Sequence, residues 1–225
     1  MGKIKTFICT IPYQGKHEKT GEDMLKPLTY QALGNSKLEY GETRFPIVPV
    51  INGYAERGDK IRVIAILTEG ENFRYNYETY FVPEITKLAN NNEYEFGGIE
   101  IVKTPDSEDI EAQLELFVNL ISKIKEGEEI SACITYGTKP TPIVQFAALN
   151  YAGRLINANP LGCIGCIAYG RFLHNEDGKS IGRIWDQTAL FHMELMVNSL
   201  AETKVAHPET AIRALLGIGG TDNDK

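Results

Sequence analysis

The sequence of 225 residues predicts an α/β fold: a Rossmann-like, doubly wound, mostly parallel sheet with helices on both faces. Three observations predict it. Strand-like apolar runs alternate with amphipathic helical segments, the run at 60–67 is apolar almost without interruption, and turns containing glycine follow two of the runs. Strands buried on both faces are typical of parallel sheets, and alternation of strands with helices builds such sheets.

The first half of the chain contains predicted strands, a long loop and one clear helix. Residues 3–10 are rich in β-branched and apolar types and run into a turn at 11–15. Residues 16–41 are polar and punctuated by glycine and proline, so we expect a loop or lid with a helix-compatible piece at 28–33. The remaining predictions are a short helix or extended segment at 45–51, a buried strand at 60–67, an amphipathic helix at 72–89 and a short strand at 99–102.

The second half continues the alternation. Residues 106–124 begin with acidic side chains and repeat apolar residues at spacings of three and four, which predicts a helix. The following predictions are a buried strand at 129–135, a turn at 136–140, a helix at 142–155, strands at 163–169 and 180–185 joined by a hairpin turn at Asp177 and Gly178, helices at 188–200 and 210–216, and a frayed end at 217–225. We expect a main domain over residues 1–205 and a short, partly disordered extension over 206–225.

Composition narrows the possible partners. The net charge of -7 argues against a protein that coats long nucleic acid, although a few backbone N–H groups and one or two cations are enough for a small anion. No apolar run reaches the roughly 18 residues of a membrane span, and the first ten residues lack the apolar stretch of a signal peptide. We therefore expect a cytoplasmic protein without a membrane partner.

Four cysteines lie inside apolar runs: Cys9, Cys133, Cys163 and Cys166. A reduced thiol in such a place behaves as a small hydrophobic group, and this pattern suits a reducing compartment. Cys163 and Cys166 form a C-x-x-C, but neither a second pair nor a histidine pair stands at metal spacing. The sequence thus favours core packing over zinc or redox chemistry, and it predicts neither a metal nor a cofactor.

Two turns are candidates for the functional site, because ligands of open α/β sheets bind beyond the carboxyl ends of the strands. One turn spans residues 10–15, and the other spans residues 135–139 after a strand that we expect to neighbour the first. In the second turn Gly137 permits close backbone approach, Thr138 offers a hydroxyl, and Lys139 adds a positive charge at a helix start. A lysine there opposes the helix dipole and indicates a local anion; a solvated lysine on an ordinary turn is the alternative.

The same residues carry a family resemblance. The stretch ISACITYGTKPTPI at 130–143 resembles the strand-turn-helix motif of CARF (CRISPR-associated Rossmann-fold) domains, in which an apolar strand ends in Thr-x-Gly, a small polar residue and Lys or Arg. The segments FICTIPYQG, IRVIAILTEGENF, IAYGRF and RIWDQTALF are similar, in order, to one CARF subfamily, so the likeness runs from about residue 3 to residue 200. One position departs: many CARF domains have an acidic residue where this chain has Cys133.

The resemblance implies a homodimer that binds cyclic oligoadenylate, with cyclic tetra-adenylate favoured, at its two-fold axis. The resemblance also implies that residues of both turns line the ligand pocket. These residues are Thr10, Tyr13, Gln14, Thr135, Tyr136, Gly137, Thr138 and Lys139. Tyr13, Tyr136 and Tyr169 are candidates to stack on adenines, and packing is the alternative for each.

The chain shows no Arg followed four to six residues later by His, the signature of the RNase effectors common among CARF proteins. This favours a ring nuclease that ends type III CRISPR signalling, in which a ribose 2'-OH attacks the adjacent phosphate without a metal. From the absent effector signature and the lysine turn we expect Lys139 to stabilise the charge on the phosphate, and Gln14, Tyr13 or Thr10 to orient the 2'-OH or the phosphate. The alternative is a non-catalytic sensor or adaptor that acts on a separate partner. A nicotinamide-dependent oxidoreductase is disfavoured, since no G-x-G-x-x-G follows the first strand.

Overall fold

One mixed sheet of eight strands organises the chain in the computed structural model, which describes residues 2–17, 19–156, 160–174 and 180–217. The strands are β1 (Ile4–Thr10), β2 (Leu28–Leu33), β3 (Tyr40–Thr43), β4 (Lys60–Thr68), β5 (Glu95–Thr104), β6 (Glu129–Cys133), β7 (Ile164–His174) and β8 (Ser180–Asp186). Their order across the sheet is β3-β2-β8-β7-β6-β1-β4-β5. The pairs β2–β3 and β7–β8 are antiparallel and the other five pairs are parallel, which confirms the predicted mostly parallel α/β fold.

Helices connect most of these strands. They are α1 (Ile47–Tyr54), α2 (Glu71–Asn76), α3 (Val82–Asn91), α4 (Ile110–Ile121), α5 (Thr141–Tyr151), α6 (Pro160–Cys163), α7 (Thr188–Glu202) and α8 (Pro208–Leu215). A π-helical turn at Tyr77–Phe81 joins α2 to α3 just before Pro83, and another at Ala152–Ile156 follows α5. Proline donates no backbone hydrogen bond, so a regular α-helix would be interrupted at Pro83. The predicted helix over 72–89 continues past this residue with a local change from the α-helical to the π-helical hydrogen-bond pattern.

The two faces of the sheet are covered by different helices. Phe7 and Cys9 of β1 belong to the buried apolar core that includes Val50 and Ile51 of α1 and Ile85 of α3. The neighbouring position Thr10 points the other way and bonds to Gln145 of α5, and α4 packs beside α5. Successive strand residues face opposite sides of a sheet, so β1 is buried on both of them.

The segment 16–41 differs from its prediction. Residues 28–33 form strand β2 instead of a helical piece, a 3₁₀ turn follows at Ser36–Leu38, and β3 completes an antiparallel pair. Tyr30 of β2 is fully buried and lies opposite Gly182 of the parallel strand β8. Burial of this large ring against a distant strand outweighs the polar and glycine-containing local sequence that predicted a loop.

Several boundaries also differ. Strand β5 spans ten residues where a short strand was predicted, and helix α4 begins at Ile110, four residues later than predicted. The β7–β8 pairing confirms the predicted antiparallel hairpin, while its turn residues Asp177 and Gly178 lie outside the described residues, as does 218–225 of the predicted frayed end.

The chain divides into two compact units, Met1–Gln187 and Thr188–Lys225. The first unit contains the whole sheet and the second contains α7 and α8. The sequence predicted a different boundary, between residues 205 and 206, which would separate a binding domain from a short extension. This boundary stays a prediction. Within the described ranges, no helix has the length and apolarity needed to cross a membrane.

Candidate functional site

The two predicted turns meet in a cleft at the carboxyl ends of β1, β4 and β6. Strands β1 and β6 are parallel neighbours with Cys9 opposite Cys133, so the turns that follow them lie side by side. The cleft has a volume of about 380 Å³. Its lining residues are Tyr13, Gln14, Thr68, Phe73, Asp106, Thr135, Tyr136, Gly137 and Thr138. Six of the eight predicted ligand residues therefore share one cleft, and the other two are Thr10 and Lys139.

The first turn is held by a buried side chain that the sequence analysis missed. The amide nitrogen Nδ2 of Asn76 donates to the carbonyl oxygens of Pro12 and Gln14, at 2.8 Å each. Asn76 is 1% exposed and stands three residues after Phe73 on the buried side of α2. A polar residue at an apolar position of an amphipathic helix was the available signal, because such a side chain needs a hydrogen-bond partner. Asn76 thus fixes the backbone on both sides of Tyr13.

Tyr13 presents an aromatic ring to the cleft. Its side chain is 61% exposed, and its ring lies 5.3 Å from the ring of Phe73 at an angle of 58°. Phe73 is itself buried, so it supports one part of the Tyr13 ring and leaves the rest accessible. A supported, exposed ring is the arrangement on which nucleobases stack.

The second turn depends on Gly137. Its φ is +109°, a region that favours glycine, and a Cβ atom there would lie 2.8 Å from Cβ of Thr141. The hydroxyl oxygens of Thr138 and Thr141 are 3.0 Å apart, and the backbone N–H of Thr141 donates to the carbonyl of Thr138 at 3.1 Å. These contacts fix the turn at the start of α5. The backbone around Gly137 is therefore open to the cleft in a defined conformation.

Thr135 joins this turn to the neighbouring strand. Its hydroxyl oxygen accepts a hydrogen bond from the backbone N–H of Gly170 at 2.8 Å and lies 3.1 Å from the sulfur of Cys133. The Thr135 hydroxyl thus ties the end of β6 to β7. It lines the cleft while already holding a partner.

Thr10 is covered rather than exposed to the cleft. It is 3% exposed, and its hydroxyl oxygen accepts a hydrogen bond from Nε2 of Gln145 at 2.9 Å. Lys139 is exposed on the second turn, is not among the residues that line the cleft, and has no carboxylate within ion-pair distance in the described part of the chain. These two predicted residues therefore differ: Thr10 packs inside, whereas Lys139 is accessible from solvent.

The other two tyrosines are packed by neighbouring rings. Tyr136 stacks on Phe172 with ring centres 5.7 Å apart, and its hydroxyl donates to the carbonyl of Arg44 at 3.4 Å. Burial raises the pKa of Tyr136 well above its ordinary value, so the hydroxyl stays protonated. Tyr169 stacks on Trp185 across the β7–β8 hairpin at 6.1 Å and does not line the cleft. Of the three predicted stacking residues, Tyr13 is the one with an open ring in the cleft.

The cysteines behave as core residues. All four are buried and none forms a disulfide bond, as expected from their apolar surroundings. Burial raises the pKa of Cys133 to about 11, so this position carries a neutral thiol at neutral pH. The carboxylate in the cleft is instead that of Asp106, which follows β5. No cluster of three or more potential metal ligands occurs among the described residues.

Comparisons with known proteins add no relative: no family model matches the chain, and no curated protein sequence matches it. The residues of the cleft are therefore the basis on which a function can be inferred.

Proposed function

We propose that this protein binds a cyclic oligoadenylate, with cyclic tetra-adenylate favoured, at the two-fold axis of a homodimer. The observation that carries the proposal is the cleft in which the turns after β1 and β6 meet. Tyr13 offers a surface for adenine, and the glycine turn before α5 offers backbone N–H groups to phosphate. In an isologous dimer each of these contacts occurs twice, which matches a ring with internal two-fold symmetry.

The proposed reaction is metal-independent cleavage of the bound ring. A ribose 2'-OH attacks the adjacent phosphorus, a 2',3'-cyclic phosphate forms, and the bond to the 5'-oxygen breaks. The attacking hydroxyl gives up its proton and the departing 5'-oxygen takes one up, so no net proton is consumed. The exposed ammonium of Lys139 would stabilise the negative charge that develops on the phosphate oxygens. Gln14 in the cleft would orient the ribose or phosphate, whereas Thr10 would act through its bond with Gln145.

A second candidate is a non-catalytic sensor or adaptor that binds the ring and acts on a separate partner. The composition of the cleft favours it: the described lining residues include one carboxylate, Asp106, and neither histidine nor lysine. A site without a cation at the reacting phosphate binds without accelerating cleavage. The two candidates share the ligand and differ in its fate.

The Lys139→Ala variant separates the candidates. We expect it to cleave cyclic tetra-adenylate about 100-fold more slowly, because loss of one charge-stabilising group typically costs that much. Lys87→Ala removes another exposed lysine, from α3, and is expected to cleave at the normal rate. Unchanged cleavage by Lys139→Ala would exclude the role of this lysine. A ring that is bound and recovered intact after long incubation with the unmodified protein would establish the sensor instead.

A further inference from the structure

A second cavity adjoins the cleft and is lined by cations. Its volume is about 660 Å³, and its lining residues are Tyr13, Gly15, Lys16, His17, Lys19, Met24 and Asn72. Tyr13 lines both the cleft and this cavity. A ligand whose base rests on Tyr13 can therefore extend from one into the other.

The cations are presented by the cationic segment, defined here as residues 15–17 and 19–24. The backbone N–H of Met24 donates to the carbonyl of Gly15 at 2.9 Å, that of His17 donates to Glu22 at 2.7 Å, and that of Gly21 donates to His17 at 2.8 Å. These bonds bring the two ends of the segment together. The cationic side chains thus project from a defined loop that starts directly at the first turn.

The described carboxylates of this segment are engaged away from the cavity. Asp23 accepts hydrogen bonds from the hydroxyls of Tyr75, at 3.4 Å, and Tyr80. Glu22 lies 3.7 Å from the ammonium of Lys26. Neither acid is among the residues that line the cavity. The Asp23 contacts anchor the segment on the helical region after β4, and neither described carboxylate is paired with Lys16 or Lys19.

Lys16 and Lys19 have no carboxylate within ion-pair distance in the described ranges, and the ammonium of Lys16 lies over the ring of Tyr75 at 5.2 Å. At the opposite end of the sheet the cations are paired: Lys5 lies 3.4 Å from Asp59, and Arg62 contacts Glu128 and Glu100. In a chain of net charge -7, two lysines beside one cavity, neither of them paired with a described carboxylate, repel each other and favour an anion between them.

Two further donors complete the cavity. The amide of Asn72 has no hydrogen-bond partner among the described residues, although it lies against the first turn: a Cβ atom on Gly15 would be 2.6 Å from its Cγ atom. The Nδ1 atom of His17 accepts a bond from the N–H of Thr20 at 3.3 Å, which leaves Nε2 to donate. The cavity thus combines two ammonium groups, an amide and an imidazole, which are the donor types that bind phosphate oxygens.

We propose that this cavity is a phosphate subsite, which holds a phosphate group of the nucleotide bound in the neighbouring cleft. The inference rests on the proposed function for the identity of that nucleotide. Its anion chemistry rests on the cationic segment and Asn72, and does not depend on that identity.

A titration with inorganic pyrophosphate tests the anion chemistry without any nucleotide. In ¹H–¹⁵N NMR spectra, pyrophosphate is expected to shift the backbone amides of Gly15, Lys16 and Gly21 in the unmodified protein. The double variant Lys16→Gln/Lys19→Gln is expected to lose at least nine-tenths of these shifts. The charge-matched control Lys87→Gln/Lys204→Gln, which changes two exposed lysines elsewhere, is expected to keep them. Absent shifts in the unmodified protein, or equal losses in both double variants, would overturn the subsite.

Binding of cyclic tetra-adenylate then tests the connection to the cleft. The Lys16→Gln/Lys19→Gln variant is expected to bind it at least tenfold more weakly. The slope of the logarithm of the binding constant against the logarithm of the salt concentration is expected to become less steep by about 1 for each lost phosphate contact. Equal affinity in this variant and its control would show that the ring does not reach the subsite. Pyrophosphate binding at the segment without binding of the ring would keep the subsite and overturn the proposed function.

Discussion

Asn76 is the residue on which the geometry of the first turn depends. Its single amide group serves two carbonyls, those of Pro12 and Gln14, and both would lose their donor in Asn76→Ala. Buried carbonyls without a partner cost free energy, so we expect unfolding to become easier by about 2–3 kcal/mol. We also expect binding of cyclic tetra-adenylate to weaken about tenfold, since Tyr13 is no longer held in place. Chemical denaturation and calorimetry measure the two effects.

Asn92→Ala is the matched control for this variant. Its Nδ2 atom donates to the carbonyl of Leu88 at 3.0 Å, so the same kind of bond is lost away from the cleft. We expect a modest loss of stability and normal ligand binding. Normal binding by Asn76→Ala as well would contradict the positioning role of Asn76.

Cys133 gives the protein a predicted pH dependence. Its pKa is 9.0 in the ordinary state and is raised to about 11 by burial in the fold, so the unfolded chain releases the thiol proton at lower pH than the folded chain. The unfolded state then binds fewer protons, and the stability present below pH 9 is lost as the pH rises from about 9 to about 11. The expected slope is at most about 1.4 kcal/mol per pH unit for this thiol.

Denaturation of the unmodified protein and of Cys133→Ala at several pH values measures this slope. The variant is expected to lose stability less steeply above pH 9, whatever its absolute stability. Identical slopes in the two proteins would show that the Cys133 thiol ionises as readily in the folded chain as in the unfolded one.

Individual site residues could be predicted where neighbouring residues in the chain form a recognisable motif. Gly137 and Thr138 stand in a glycine turn between a strand and a helix, and they line the cleft as expected. Thr10 was predicted from its place at a strand end, but its partner Gln145 lies 135 residues away and is invisible to such an argument. Asp106 was assigned to a helix start and lines the cleft because β5 ends there.

At the scale of elements, the contacts of Asp23 determine how the cationic segment is held. Asp23→Ala removes the acceptor of Tyr75 and Tyr80, so we expect faster hydrogen exchange of the Gly21 and Met24 amides with little change in global stability. Glu22→Ala removes the same charge from an exposed pair and is expected to leave exchange nearly unchanged. Equal exchange in Asp23→Ala and the unmodified protein would show that the phenol contacts do not anchor the segment.

Strands and helices were predictable to the extent that their own residues decide them. β1, β4 and β6 are rich in apolar and β-branched residues and are buried at almost every position, and buried parallel strands leave this signature in the sequence. β2 leaves none, because only Tyr30 among its six residues is buried and the strand depends on β8, which is far away in the chain. Pairing between segments that are distant in the chain depends on the fold and leaves no local pattern. The local sequence of β2 therefore predicts a loop with a helical piece instead of a strand.

At the scale of the whole molecule, the proposal depends on two-fold symmetry. One chain supplies a single copy of the turns after β1 and β6, and a cyclic tetra-adenylate contains two equivalent halves. Two chains are therefore expected to enclose one ring, with each Tyr13 and each Lys139 contributing once. A binding stoichiometry of one ring to two chains follows from this arrangement.

Incubation of the purified protein with cyclic tetra-adenylate and cyclic hexa-adenylate in EDTA, followed by chromatography of the products and calorimetry of binding, tests whether the protein binds and cleaves the ring. We expect one ring bound for every two chains, and linear products that end in 2',3'-cyclic phosphate. Failure of the protein to bind either ring would contradict the proposed function.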